Sequence, residues 1–201
     1  MLRIALIRHG KTHGNTLGRY IGGRTDEPLC GEGRRALGQQ SYPDAEVVYI
    51  SPMKRCVETA ECIYPNIPQK SNALLKECDF GSFENKNYQE LSDHPDYQAW
   101  IDSNGMLPFP QGESREEFIK RCTRGFAWCV QDAFQNHIEQ AAMVVHGGTI
   151  MSVLSRFAQP GGEYFAWKLS NGEYYELILE EELWNREHCI RSLRKGKMNN
   201  D

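Results

Sequence analysis

The chain has 201 residues, a formal net charge of −4, a hydrophobic fraction of 40% and a charged fraction of 25%, the proportions of an ordinary soluble protein. That length suits one domain spanning 1–201 with a substantial core. The mild acidity implies no bulk attraction to nucleic acid or an anionic membrane, and no apolar run approaches the roughly 18 residues of a membrane span.

Seven cysteines, at 30, 56, 62, 78, 122, 129 and 189, form no Cys-x-x-Cys pair, and their number is odd. The chain enters a strand directly from its N-terminus, with no signal-peptide pattern. Reduced thiols and a cytoplasmic location are therefore expected. The first 35 residues carry Arg3, Arg8, Lys11, Arg19, Arg24, Arg34 and Arg35 against Asp26, Glu27 and Glu32. A solvated basic face and a site for a small anion explain this bias equally well.

Leu2–Arg8 is a short apolar run that reads as a strand. A glycine-rich stretch, Gly10 to Gly33, follows, and Glu32–Gln40 reads as a short helix. Val47–Ile50 reads as a buried strand, after which Ser51-Pro52 suggests a helix N-cap with proline in the first turn. Val57, Ala60 and Tyr64 form that helix's inward stripe.

Pro65 to Gly112 is broken by five prolines and is long for a connection, so a subdomain or lid over a site is expected there. Ser114-x-x-Glu117 is a capping box that opens the longest helix. Phe118, Cys122, Phe126, Cys129, Ala133 and Phe134 recur on it at helical spacing, which assigns both cysteines to packing. Ala142–Val145 reads as a strand, Thr149–Phe157 as a helix, and Tyr174–Leu179 as the strand that closes the sheet. After Trp184 the tail turns basic (Arg191, Arg194, Lys195, Lys197) and is expected to fray. This alternation predicts an α/β three-layer sandwich with a mostly parallel central sheet and helices on both faces.

Two of these strands end alike, in Arg8-His9-Gly10 and in His146-Gly147-Gly148. If the strands are parallel neighbours, both imidazoles meet at the carboxyl edge of the sheet, where α/β folds place their chemistry. A phosphomonoester needs an in-line nucleophile, cations around its free oxygens and an acid for the leaving alkoxide. Neutral His9 qualifies as the nucleophile, and Arg8 and Arg55 as bidentate oxygen ligands. His146 qualifies as a further donor to the phosphoryl group. Each has a plainer reading: a hydrogen-bonded strand-end histidine, or for Arg55 a surface residue on a helix. His9 and His13 have metal-ligand spacing on a helix, but here they straddle glycine after a strand, which argues against a metal.

Leu6-Ile7-Arg8-His9-Gly10-Lys11-Thr12, with Asn15 following, resembles the Arg-His-Gly-x-Thr signature of the histidine phosphatase superfamily, in its phosphoglycerate-mutase-like branch. Ser51 to Ala60 resembles that branch's Ser-x-x-x-Arg-x-x-x-Thr-Ala segment, and Val145-His146-Gly147-Gly148 its second histidine motif. Leu75 to Gly81 resembles the segment that holds the acid, and Pro110-x-Gly112-Glu113-Ser114 a later one.

The resemblance implies His9 as the phosphorylated nucleophile, with Arg8, Arg55 and His146 completing the phosphate pocket. It also implies Glu77 as proton donor and then base; the residues alone do not single out Glu77. Burial beside Phe80 and Phe83 would raise its pKa. Thr12 and Asn15 contact phosphate or cap the following turn, and Gly147 and Tyr20 join the substrate-binding set.

Two positions depart from the pattern. Gly81-Ser82-Phe83-Glu84-Asn85 replaces Gly-x-Trp-Glu-Gly, and Lys11 stands where relatives carry Glu or Gln. The expected activity is a phosphomonoesterase on a small phosphorylated metabolite, with neither metal nor organic cofactor. A phosphoglycerate mutase and a non-catalytic phosphate-binding module are the alternatives, and the chain's length favours hydrolysis over the generally longer mutases. The Gly18–Leu29 stretch is similar to bacterial phosphatases related to α-ribazole-5′-phosphate phosphatase, which suggests that ester as substrate. Arg19, Tyr20 and Arg24 are expected in the specificity wall, and a nucleoside-like substrate would suit Tyr20, Phe83 or Tyr88. Oligomeric state is open, a homodimer included.

Overall fold

A computed structural model of the chain describes residues 1–196. In chain order its elements are β1 (Leu2–Arg8), α1 (His13–Thr16), α2 (Gly31–Gly38), β2 (Val47–Ile50), α3 (Lys54–Ile63), β3 (Gln69–Ser71), α4 (Tyr88–Leu91), α5 (Pro95–Asp102), α6 (Arg115–Gln135), β4 (Gln140–Val145), α7 (Gly147–Phe157), β5 (Tyr174–Leu179), α8 (Glu181–Glu187) and β6 (Ser192–Lys195). Among the described residues no helix is long and apolar enough to cross a membrane.

The six strands form one sheet in the order β3-β2-β4-β1-β5-β6. β3, β2, β4 and β1 are mutually parallel, while β5 and β6 run antiparallel. The sheet is thus mixed, with its parallel part limited to four strands. β5 does not close it: Tyr175–Ile178 pairs with Ser192–Lys195, so β6 is the edge. The basic tail is therefore paired from Ser192 to Lys195, with Arg194 ion-paired to Glu176 (2.6 Å) and Lys195 to Glu173 (2.8 Å). Lys197 lies outside the described residues.

The central strands are buried on both faces, which is why they read as nearly unbroken apolar runs. Alternate side chains point to opposite layers. Leu2, Ile4, Leu6, Met143 and Val145 meet Phe126, Val130, Val153 and Leu154 of α6 and α7. Ala5, Ile7, Val48, Ala142 and Val144 meet Cys56 and Ala60 of α3, and Tyr64 just beyond it. Helices thus cover both faces.

Helix α6 begins at the expected capping box: the Ser114 hydroxyl accepts from the Glu117 amide and Glu117 reaches back to the Ser114 amide. Cys122 and Cys129 are fully buried in its packed face. Helix α3 starts later than Ser51-Pro52 suggests. Met53 occupies the cap position without a side-chain hydrogen bond, which frees Ser51 for another contact. The Pro65–Gly112 stretch is more ordered than its prolines imply. It supplies β3, one turn of 3-10 helix at Ala73–Leu75 that packs on α6, and helices α4 and α5.

Candidate active site

Parallel pairing of β1 with β4 puts Arg8 opposite Val145, so the next residue of each strand is a histidine. The rings of His9 and His146 lie 5.2 Å apart, centroid to centroid, at the carboxyl edge of the parallel strands. Both are buried, at 3% and 0% exposure.

His9 Nδ1 lies 2.8 Å from the Gly10 carbonyl oxygen. A carbonyl only accepts, so Nδ1 carries the proton and the Nε2 lone pair is free. Burial, then Arg55 and Arg8, hold the imidazole pKa well below its usual 6.5, so His9 stays neutral at pH 7. The loop behind it is fixed from far along the chain. The Thr59 hydroxyl accepts from the Gly10 amide (2.9 Å), and Asn171 Nδ2 donates to the His9 carbonyl (3.1 Å) and to Asn15 Oδ1 (3.1 Å).

Arg55 is not a surface residue. It is wholly buried, with Nη1 donating to Thr25 O (2.8 Å), Nη2 to Gly22 O (3.1 Å) and Nε to His146 Nδ1 (3.3 Å). The last contact makes Nδ1 of His146 an acceptor, so the proton sits on Nε2, which donates to Ser51 Oγ at 2.7 Å. Both ring nitrogens are thus engaged. His146 orients Arg55 in this arrangement and does not point a free donor at a phosphoryl group. Burial and the neighbouring guanidiniums also keep it neutral.

Ser51, Arg55 and Thr59 therefore act as a set at intervals of four, one tied to His146, one to the crevice loop and one to Gly10. Cys56 Sγ lies 3.5 Å from His146 Nε2, but burial pushes its thiol up to about 12, so no thiolate competes as nucleophile.

Arg8 donates from Nη1 to the Leu169 carbonyl (2.6 Å), while its Nε is buried without a hydrogen-bond partner. A buried guanidinium N–H left unpaired is costly, and an anion in the crevice would satisfy it.

Glu77 is buried and accepts from the Cys78 amide (2.9 Å) and from the Gly148 amide at the start of α7 (3.1 Å). Desolvation outweighs these bonds and raises its pKa above the usual carboxyl value. Gly148 makes the approach possible, since a Cβ there would lie 2.4 Å from Glu77 Oε1. Arg121 holds the segment in place, donating to the Leu74, Lys76 and Glu77 carbonyls while paired with Glu113 at 2.7 Å.

The remaining predicted residues divide. Thr12 and Asn15 form the capping box of α1, so their side chains serve the turn. Gly147 opens α7 beside Arg8, and Tyr20 lines the cleft with its hydroxyl 3.2 Å from that of Tyr97. Phe83 is fully buried beneath the cleft with Leu91 and Tyr97, and Tyr88 points to solvent at 64% exposure, so neither forms the wall. Phe118 and Glu77 meet at the Gly148 position, Phe80 lines the same cleft, and Phe83 does not. Arg19 and Arg24 are paired with Glu90 (2.9 Å) and Asp79 (2.8 Å) and do not line the cleft. His13 is exposed, and among the described residues no group of three or more His, Cys, Asp or Glu could hold a metal ion.

Sequence reasoning missed Asn171, the Arg121–Glu113 pair and Glu84. The Glu84 carboxylate accepts from the Gly22 and Arg24 amides and from the Thr25 hydroxyl, pinning the loop whose carbonyls hold Arg55. Glu84 keeps the Glu of the Gly-x-Trp-Glu-Gly pattern between two departures, Phe83 and Asn85, but its task was not visible.

Two strand-end histidines, the wholly buried Arg55, the part-buried Arg8 and a carboxyl at a helix start thus meet in one crevice. The chain belongs to the histidine phosphatase superfamily (branch 1), whose profile matches residues 4–189. A Hydrogenobacter thermophilus protein provisionally named phosphoserine phosphatase 2 is 30% identical over 192 residues, covering 90% of this chain and 92% of that one. The α-ribazole phosphatase of Shigella flexneri shares the fold with a TM-score of 0.78 at 20% identity, over 99% of this chain and 96% of the other. A phosphoglycerate mutase of Thermus thermophilus does so with a TM-score of 0.67 at 22% identity, over 96% and 98%. The match to that chain runs almost end to end, so the two are of similar length.

Proposed function

We propose that the chain is a phosphomonoesterase that works through a phosphohistidine on His9. The observation that carries this reading is the pairing of a neutral His9, its Nε2 lone pair free, with the buried, unpartnered Nε–H of Arg8. A phosphate dianion seated between Arg8 and Arg55 meets both needs. His9 Nε2 attacks phosphorus as the ester P–O bond breaks, and protonated Glu77 gives its proton to the departing oxygen. Glu77, now a carboxylate, takes a proton from water; the water oxygen attacks phosphorus, the P–N bond breaks and neutral His9 returns. The guanidiniums supply the positive charge. For His146 to donate to a phosphoryl oxygen from Nδ1, the anion would have to replace its 3.3 Å contact with Arg55 and the ring proton would have to move from Nε2 to Nδ1, the Ser51 hydroxyl then donating to Nε2.

The leaving alcohol would lie beside Glu77, in a cleft of about 250 Å³ walled by Phe80, Trp100, Phe109, Phe118 and Met151. Ring-lined walls favour a leaving alcohol with a planar apolar part over a small polar one. They also suit the planar base of α-ribazole 5′-phosphate. The test is phosphate release from p-nitrophenyl phosphate, α-ribazole 5′-phosphate, O-phosphoserine and 3-phosphoglycerate with EDTA present. Release supports the reading. Silence from folded protein, or phosphoryl exchange with bisphosphoglycerate and no release, contradicts it.

A further inference from the structure

The cleft beside Glu77 is apolar along its length, yet it is not electrically neutral. Arg8, Arg115 and Lys168 all line it, and Glu77 is its one carboxyl. Arg8 belongs to the phosphate. Arg115 and Lys168 have no ion-pair partner among the described residues, although eleven such pairs occur elsewhere.

The guanidinium of Arg115 is flanked by aromatic rings. It lies 5.0 Å from the Tyr164 ring centroid and 5.1 Å from that of Phe165, and donates only to neutral acceptors, Asn104 O (3.3 Å) and Met106 Sδ (3.2 Å). A guanidinium that donates only to weak or neutral acceptors retains N–H groups for an acid. Its position along the cleft is set by α6. Arg115 precedes Phe118 by three residues, a rise of about 4.5 Å. Phe118 touches the Gly148 position, where a Cβ would lie 2.8 Å from its ring, and the Gly148 amide binds Glu77. Phe118 and Arg115 thus stand about one helical turn apart on the wall of the cleft, with Glu77 at the Phe118 end. Trp100 lines the same cleft, and its Nε1–H is buried without a partner.

We propose that Arg115 selects the leaving group of this enzyme, and that the preferred substrate is a phosphomonoester whose alcohol is a planar apolar ring with a carboxylate at its far end. The proposal rests on the phosphatase reading above. The phosphate lies on Arg8 and Arg55, the ring between Trp100, Phe109 and Phe118, and the carboxylate on Arg115 with Lys168 beside it. A neutral base such as that of α-ribazole would leave Arg115 unused, and O-phosphoserine would leave the ring space empty.

Benzyl phosphate, 4-carboxybenzyl phosphate and O-phosphoserine test this, since all three release alkyl alcohols and differ mainly in what fills the cleft. The expected kcat/KM falls in the order 4-carboxybenzyl, benzyl, phosphoserine, with the first preferred over the second by about tenfold, chiefly through KM. Arg115→Ala should bring the ratio between the two benzyl esters close to one. Arg115→Gln, which keeps the side-chain stem at the start of α6, should do the same, and a ratio is insensitive to loss of folded protein. Equal wild-type values for the two benzyl esters, a ratio that survives both substitutions, or a preference for phosphoserine would each overturn the proposal. Hydrolysis of p-nitrophenyl phosphate serves as control. If it proceeds and the preference is missing, the leaving-group assignment alone fails; if wild type hydrolyses none of the esters, the phosphatase reading fails with it.

Discussion

On the phosphate side of the crevice, four groups are held by partners distant in sequence: Arg8 by Leu169, Gly10 by Thr59, Arg55 by Thr25 and Gly22, His146 by Ser51. On the leaving-group side the contacts are between rings. Tyr20, Phe80, Trp100 and Phe109 meet edge-on or tilted at centroid separations of 5.0 to 6.3 Å, and Met106 and Phe165 are 65% and 58% exposed at the mouth. Directed hydrogen bonds fix one geometry, whereas ring contacts tolerate several. Under the proposed mechanism the first region defines the reaction and the second defines which alcohol leaves.

Substitutions on the two sides should therefore fail differently. His9→Ala should abolish turnover of every ester, by at least about 10⁴-fold, with the fold intact by circular dichroism. Glu77→Gln should slow alkyl esters by about 10²–10⁴-fold. It should slow p-nitrophenyl phosphate by less than about tenfold, because that leaving group needs little protonation. Equal losses on both would remove Glu77 from the acid role.

The pH profile checks the same pair. His9, held well below 6.5, stays unprotonated on acidification, so the acidic limb of kcat/KM should lie below that value. The proposed acid role needs Glu77 protonated, so activity should fall as pH rises through its raised pKa. Glutamine has no proton to lose, and the alkaline limb should vanish in Glu77→Gln.

Arg8→Lys keeps the charge but loses the planar donor set, and should lower kcat/KM by about 10²–10³-fold for all esters alike. The smallest effect should come from the other wall. Phe109→Leu should raise KM for benzyl phosphate by about fivefold, roughly 1 kcal/mol of lost ring contact, and move kcat less. A kcat loss common to every ester would show that the two sides are not separable.

The meeting of His9 and His146 was legible because two apolar runs ending in His-Gly can place both rings together only as parallel neighbours, and β1 and β4 are such neighbours. The α6 capping box and its buried cysteines were legible for the same local reason. Ser51 was misread: next to proline it carries the marks of a helix cap, and only the fold reveals His146 Nε2 at 2.7 Å. Asn171, Glu84 and Arg121 could not be found from sequence, since each acts on backbone that the fold alone brings near. The short basic run that became β6 lacks apolar alternation, and its pairing depends on β5. Phe83 and Tyr88 carried the same aromatic signal as Tyr20, and burial of one and exposure of the other decided against them.

The most direct test is to mix wild-type protein with ³²P-labelled substrate, quench within the first turnover and map the label. The account predicts an acid-labile, alkali-stable phosphoramidate on the peptide containing His9, absent from His9→Ala and long-lived in Glu77→Gln once a reactive aryl ester has loaded it. Phosphate released by active wild type with no label on His9 at any time, or label that persists in His9→Ala, would contradict it.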